Sequence, residues 1–147
     1  MKNLFNIRFV SAVVFLALLA GCATTNLYQN KKAAKRLAFM FRINDAISSD
    51  PQFPETLKEL RPRLEDVGQD VFSQCKCADG KMREFIYVRG FFSSNDGDLA
   101  FLFSPAEMDA KKVIVVYLDS TIKVLSREEA AEERKKSYAY IENMHIK

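Results

Sequence analysis

Six consecutive residues, Val113-Ile-Val-Val-Tyr-Leu118, are apolar. Successive side chains of a strand point to opposite faces, so a run without alternation needs cover on both sides of its sheet. A fold of this chain therefore has to set Val113–Leu118 as a central strand and supply apolar neighbours above and below it. The run Thr121-Ile-Lys-Val-Leu125 follows across Asp119-Ser120, and two strands around a two-residue polar turn predict a hairpin. Upstream, Glu84-Phe-Ile-Tyr-Val-Arg89 and Leu99-Ala-Phe-Leu-Phe103 have strand length and are stopped by Gly90 and by Ser104-Pro105. Val71-Phe72 leads through Cys75 and Cys77 to a turn at Ala78-Asp-Gly80, and Ser93–Asp98 reads as a loop.

Helices flank these strands. From Lys31 to about Ser48, Leu37, Met40, Phe41, Asn44 and Ile47 follow helical spacing, and Phe39, Ile43 and Ala46 form a second stripe. Two stripes predict burial of the C-terminal half of this helix. Its start carries Lys31, Lys32, Lys35 and Arg36 with no acid, which fits either a solvated helix start or contact with anionic lipid headgroups. Ser48–Pro54 breaks the helix, because the residue before a proline disfavours helical geometry. Pro54 can open a short helix lined by Leu57, Leu60 and Leu64, which Pro62 splits or ends. Ser126-Arg-Glu-Glu129 is a capping box, and Glu128, Glu129, Glu132 and Glu133 precede Arg134, Lys135 and Lys136 in the order that complements a helix dipole. The expected fold is α+β: an N-terminal helix packed on a three- to four-stranded antiparallel sheet, with a capped C-terminal helix.

Composition fits one domain. Of 147 residues, 48% are hydrophobic, only 5 are Gly and 4 Pro, and 12 Phe with 5 Tyr and no Trp supply an aromatic core. Basic residues number 22 against 19 acidic, and setting aside Lys2 and Arg8 of the N-terminal segment leaves 20 against 19. That balance argues against nucleic acid as a partner. The single histidine, His145, removes histidine-centred catalysis and zinc chemistry from the field. No Gly-rich phosphate loop, nucleophile elbow or metalloprotease helix occurs, so the residues point to no catalytic centre and no small-molecule substrate.

The N-terminus carries an address. Met1–Arg8 holds two basic residues and no acid, and Phe9–Ala20 is a run of twelve residues broken only by Ser11. Twelve is the length of a signal-peptide core and short of the ~20 residues a membrane-spanning helix needs. The segment ends in Leu19-Ala-Gly-Cys22, which resembles the bacterial lipobox. That resemblance implies a lipoprotein signal peptide over residues 1–21, acyl chains on Cys22, a lipidated tether over 22–30 and a single domain over 31–147. The protein would be held in the cell envelope, facing the periplasm or the cell surface. Ala23 after the cysteine, rather than an Asp, favours the outer membrane. An uncleaved membrane anchor is the alternative. With Cys22 acylated, Cys75 and Cys77 remain in an oxidising compartment, either as ordinary cysteines at a strand end, bridged or not, or as a strained redox pair.

Several segments resemble the globular part of bacterial type II secretion pseudopilins and their pilin-like relatives. Arg36-Leu-Ala-Phe-Met-Phe-Arg-Ile-Asn44 resembles the C-terminal half of the pilin helix, and Phe53–Leu60 the proline-leucine segment after it. Val71–Cys75 and Phe85–Val88 resemble the first strands, and Val113–Leu125 with Ser126–Glu129 the closing hairpin and helix. The departures are specific. Asp109 stands where that group has a histidine, Ser120 replaces the turn glycine, and a lipobox stands where the prepilin cleavage site would be. The resemblance implies a pilin-like head on a lipid anchor, a non-enzymatic lipoprotein that binds or supports an envelope protein. A component or accessory of a type II secretion system is the alternative, and a thiol-disulfide protein using Cys75 and Cys77 the outsider. Major pseudopilins bind calcium in a loop of the β region. The comparison makes Asn95, Asp96 and Asp98, with Asp109 as a further ligand, candidates for calcium, against a plain solvated turn.

Overall fold

The computed structural model describes residues 26–48, 52–60, 74–92 and 94–145. The signal-peptide segment, Cys22 and the stretch around Leu64 and Val71 lie outside the described residues. Helix α1 occupies residues 26–47. A 3-10 turn at Leu57–Glu59 follows, then strands β1 (Gln74–Lys76), β2 (Met82–Glu84), β3 (Ile86–Tyr87) and β4 (Ala100–Phe103). A second 3-10 turn at Ala106–Met108 leads to β5 (Lys112–Tyr117), β6 (Ile122–Ser126) and the closing helix α2 (Arg127–His145). β1 and β2 form a separate antiparallel ribbon, and the main sheet is antiparallel in the order β3-β4-β5-β6.

The architecture is the expected α+β arrangement, and β5 is an interior strand. Val113 through Tyr117 are all buried, as are all four residues of β4. The two helices provide the cover that this burial demands. On one face Phe41 of α1 meets Phe101 of β4 edge-on at 4.8 Å, with Phe53 and Tyr87 completing an aromatic cluster. Such edge-to-face pairs contribute about 0.5–1.5 kcal/mol beyond the area they bury. A bulge between Ala100 and Leu102 re-aims β4 at this point. On the other face Ser137 of α2, fully buried, donates to the carbonyl of Ala100 at 2.7 Å.

Local details differ from expectation in four places. The run Glu84–Arg89 is not one strand: buried Phe85 divides it, leaving β2 in the ribbon and β3 in the main sheet. The hairpin loop has three residues rather than two. Ser120 N–H donates to the Tyr117 carbonyl, and Tyr117 N–H to the Thr121 carbonyl. Ser120 then takes φ +70°, the left-handed residue of a three-residue hairpin loop. The second stripe of α1 is not buried, with Phe39 55% exposed, Ala46 exposed and Ile43 half-buried, and Ile47 at the end of the first stripe is 60% exposed, because the sheet covers one side of the helix only. The tether expected over 22–30 gives way to helix by residue 26, and Asn30 is buried in the domain.

Candidate functional site

Asn30 explains why the domain starts early. Its side-chain amide donates to the Lys76 carbonyl and its carbonyl accepts from Lys76 N–H, both at 2.8 Å. A planar amide has one donor face and one acceptor face, so it occupies the edge of β1 as a neighbouring strand would. Reasoning from the sequence missed this contact, since nothing local in Gln29-Asn-Lys31 points to a strand 46 residues away.

Behind this clamp lie Cys75 and Cys77, on one face of the ribbon and both almost fully buried. The disulfide considered for them is not formed: both are free thiols. Residues two apart on an extended strand are separated by about 6.6 Å, near the upper limit for a bridge. Burial, reinforced by the neighbouring Cys77, pushes the Cys75 thiol up to about 12. A thiol held protonated and shut from solvent is a poor nucleophile, which disfavours Cys75 as the attacking thiol in an exchange. Arg83, the cross-strand partner of Cys75 and so on the same face of the ribbon, grips Asp79 through two bonds at 2.9 and 2.8 Å. That bidentate contact holds the Asp79 carboxyl down at about 2.

The calcium candidates do not assemble. Asn95 spends its amide inside the fold: its oxygen accepts from Phe92 N–H at 2.7 Å and its nitrogen donates to the Tyr140 hydroxyl. Asp98 is paired with Lys136 of α2 at 2.9 Å, which lowers its pKa. Asp109 accepts from the backbone N–H groups of Lys111 and Lys112, at the far end of β5. With a rise of ~3.3 Å per residue, β5 sets Asp98 and Asp109 more than ~15 Å apart. Asp96 keeps no second acid of the set beside it except Asp98. Calcium needs six to eight oxygens around one point, and the fold disperses these four residues. Among the described residues, no group of three or more His, Cys, Asp or Glu side chains could hold a metal ion.

What the fold does assemble is the outward side of α1. Tyr28, Lys31, Lys32, Lys35, Phe39 and Arg42 repeat at helical spacing and are all exposed. This stripe lies opposite Asn30, Ala34, Leu37, Ala38 and Phe41, which face the sheet and ribbon. Beside it, Ser120 and Ile122 of the closing hairpin meet Tyr28, Lys31, Lys32 and Lys35 to form an open cleft of about 630 Å³. Among the described residues, no helix is long and apolar enough to cross a membrane.

The chain matches no protein-family profile, no curated protein and no solved structure.

Proposed function

We propose that this protein is a non-enzymatic cell-envelope lipoprotein, cut before Cys22 and acylated there, whose pseudopilin-like head binds or supports an envelope protein. The observation that carries the reading is Leu19-Ala-Gly-Cys22 behind a basic start and a twelve-residue apolar run, with a folded helix in place by residue 26. Acyl chains bury about 0.8 kcal/mol per methylene, and more than one chain is needed for lasting attachment. Further support comes from the α+β architecture: a helix followed by an antiparallel sheet and a capped helix is what the pilin-like resemblance implies. The test is metabolic labelling with a tagged fatty acid. Wild type should carry the label and Cys22→Ser should lose it, accumulating as precursor or released protein. Label retained on the N-terminus of Cys22→Ser would sink the reading.

The second reading, an accessory or component of a type II secretion system, is favoured by Ser120. At φ +70° this serine adopts the backbone conformation that glycine takes most readily, at the position where the pilin-like group carries its turn glycine. Filaments sheared from cells and containing this chain would promote that reading over the first. Their absence, with the protein remaining in the membrane fraction, favours the lipoprotein head.

A further inference from the structure

We infer that the outward face of α1 lies against the anionic headgroups of the membrane that holds Cys22. The inference rests on the lipoprotein reading and adds an orientation to it. Three observations meet here. First, the stripe Tyr28, Lys31, Lys32, Lys35, Phe39 and Arg42 runs for about 21 Å at 1.5 Å per residue. No acidic residue occurs between residues 26 and 44, Asp45 near the helix end being the first.

Second, its two aromatic rings are largely in water, Tyr28 71% and Phe39 55% exposed, although the domain has a buried aromatic cluster close by. Rings flanked by long basic side chains suit a bilayer interface. The ring enters the headgroup level, while the apolar stems of Lys and Arg lie along it and their charged ends reach phosphate.

Third, the tether is short. Four peptide steps separate Cys22 from residue 26, and a fully extended chain covers at most about 14 Å in that number. The first turn of α1 therefore cannot stand away from the lipid surface. The hairpin-side cleft beside Tyr28 and the three lysines is the natural seat for a phosphate group. With α1 down, α2 and its exposed Tyr138 point away from the bilayer and remain accessible to a protein.

The chain contains no tryptophan, so one introduced indole reports its own surroundings. The full chain, purified from membranes with its N-terminal modification, is reconstituted as Phe39→Trp and separately as Tyr138→Trp. The vesicles are phosphatidylcholine alone, or phosphatidylcholine mixed with phosphatidylglycerol, each carrying brominated acyl chains. The expected result is strong quenching and a blue-shifted emission for Phe39→Trp in the anionic vesicles, with neither for Tyr138→Trp. Adding Lys31→Glu and Lys35→Glu to Phe39→Trp should abolish the quenching while the protein stays vesicle-bound.

Protein that remains bound while both indoles stay unquenched would overturn the inference and leave the lipoprotein reading standing. So would quenching at position 39 that ignores lipid charge and lysine reversal. Crosslinks from the α1 stripe to an envelope protein, with no lipid contact, would overturn it in favour of a protein partner. Failure of the wild type to bind vesicles, with no fatty acid on Cys22, would overturn both.

Discussion

Helices α1 and α2 cover opposite faces of one sheet and are attached to it by different means. α1 is held by burial: Ala34, Leu37, Ala38, Met40 and Phe41 are all buried, and one of its polar contacts, Asn30 to Lys76, reaches across the fold. Among the described residues of α2 only Ala130 and Ser137 are buried; Ser137, Tyr140 and Lys136 tie it by polar contacts to Ala100, Asn95 and Asp98, and its start is defined by contacts close in sequence. Ser126 Oγ accepts from Glu129 N–H at 3.2 Å, while the Glu129 carboxylate accepts from Ser126 N–H at 2.8 Å. Where a helix begins directly after the β5–β6 hairpin, its start needs little more than a local signal. A helix whose partners lie far along the chain needs a large apolar face instead. The difference separates a helix start encoded locally from a helix placed by the fold as a whole.

The broadest test removes what the helices share. Val115→Asp places an unpaired charge in the interior strand, and a loss of more than about 4 kcal/mol is expected. Stability of domains this size is about 5–15 kcal/mol, so circular dichroism should show a largely unfolded or severely destabilised protein. Wild-type-like melting would refute the assignment of β5 as interior.

Next comes Phe41→Ala, which empties the aromatic cluster under α1 and should cost about 3–5 kcal/mol in urea unfolding. A loss comparable to that of a surface substitution would mean that α1 is not held by burial, and the contrast would fail. Asn30→Ala should follow, at about 1–2 kcal/mol, since it strips both partners from the partly buried Lys76 backbone. A version starting at residue 31 should show the same deficit relative to one starting at residue 26.

On α2, Ser126→Ala should cost about 1 kcal/mol and fray only the first turn, visible as faster amide exchange there. The smallest effect is in acid. The Ser126 backbone N–H and hydroxyl hold Glu129 below the ordinary carboxylate range, and Lys136 does the same for Asp98. Groups depressed in the folded state contribute fully above the range where a free carboxyl titrates, and that contribution is lost as pH falls through their folded values. Glu129→Gln should therefore flatten the acid limb of α2 stability. An unchanged acid limb would show that the capping carboxylate contributes nothing there. Both carboxylates are fully exposed, so the effect belongs at the small end.

The same contrast governs how much could be read from the chain. The hairpin, the interior place of β5 and the capping box were legible because each depends on neighbours within a few residues. The loop length was misjudged by one residue because Ser120 adopts a left-handed conformation that composition assigns to glycine or asparagine. The division of Glu84–Arg89 was invisible because Phe85 is apolar in either arrangement, and only the existence of a separate ribbon splits it. The calcium set failed for a related reason. Asn95, Asp96, Asp98 and Asp109 are near one another in number, but β4 and β5 carry the last of them to the far end of the sheet. The exposed stripe of α1 was half visible, its lysines from charge alone, whereas Phe39 was assigned to a buried face.

The clamp between Asn30 and Lys76 also orders events in time. A chain made from its N-terminus presents α1 first, yet Lys76 lies 46 positions later and Phe101 later still. At about 5–20 residues per second, some seconds pass before the surfaces that receive Leu37, Met40 and Phe41 have been synthesised. β5, β6 and α2 are contiguous and can close on themselves as soon as they emerge, since nearby contacts form faster than remote ones. Docking of α1 therefore waits for the sheet, and until then a holding chaperone would find its substrate in that bare apolar stripe. Pulsed proteolysis during refolding should cut within α1 after the β5–β6 region has become resistant, and simultaneous protection of the two would rule this order out.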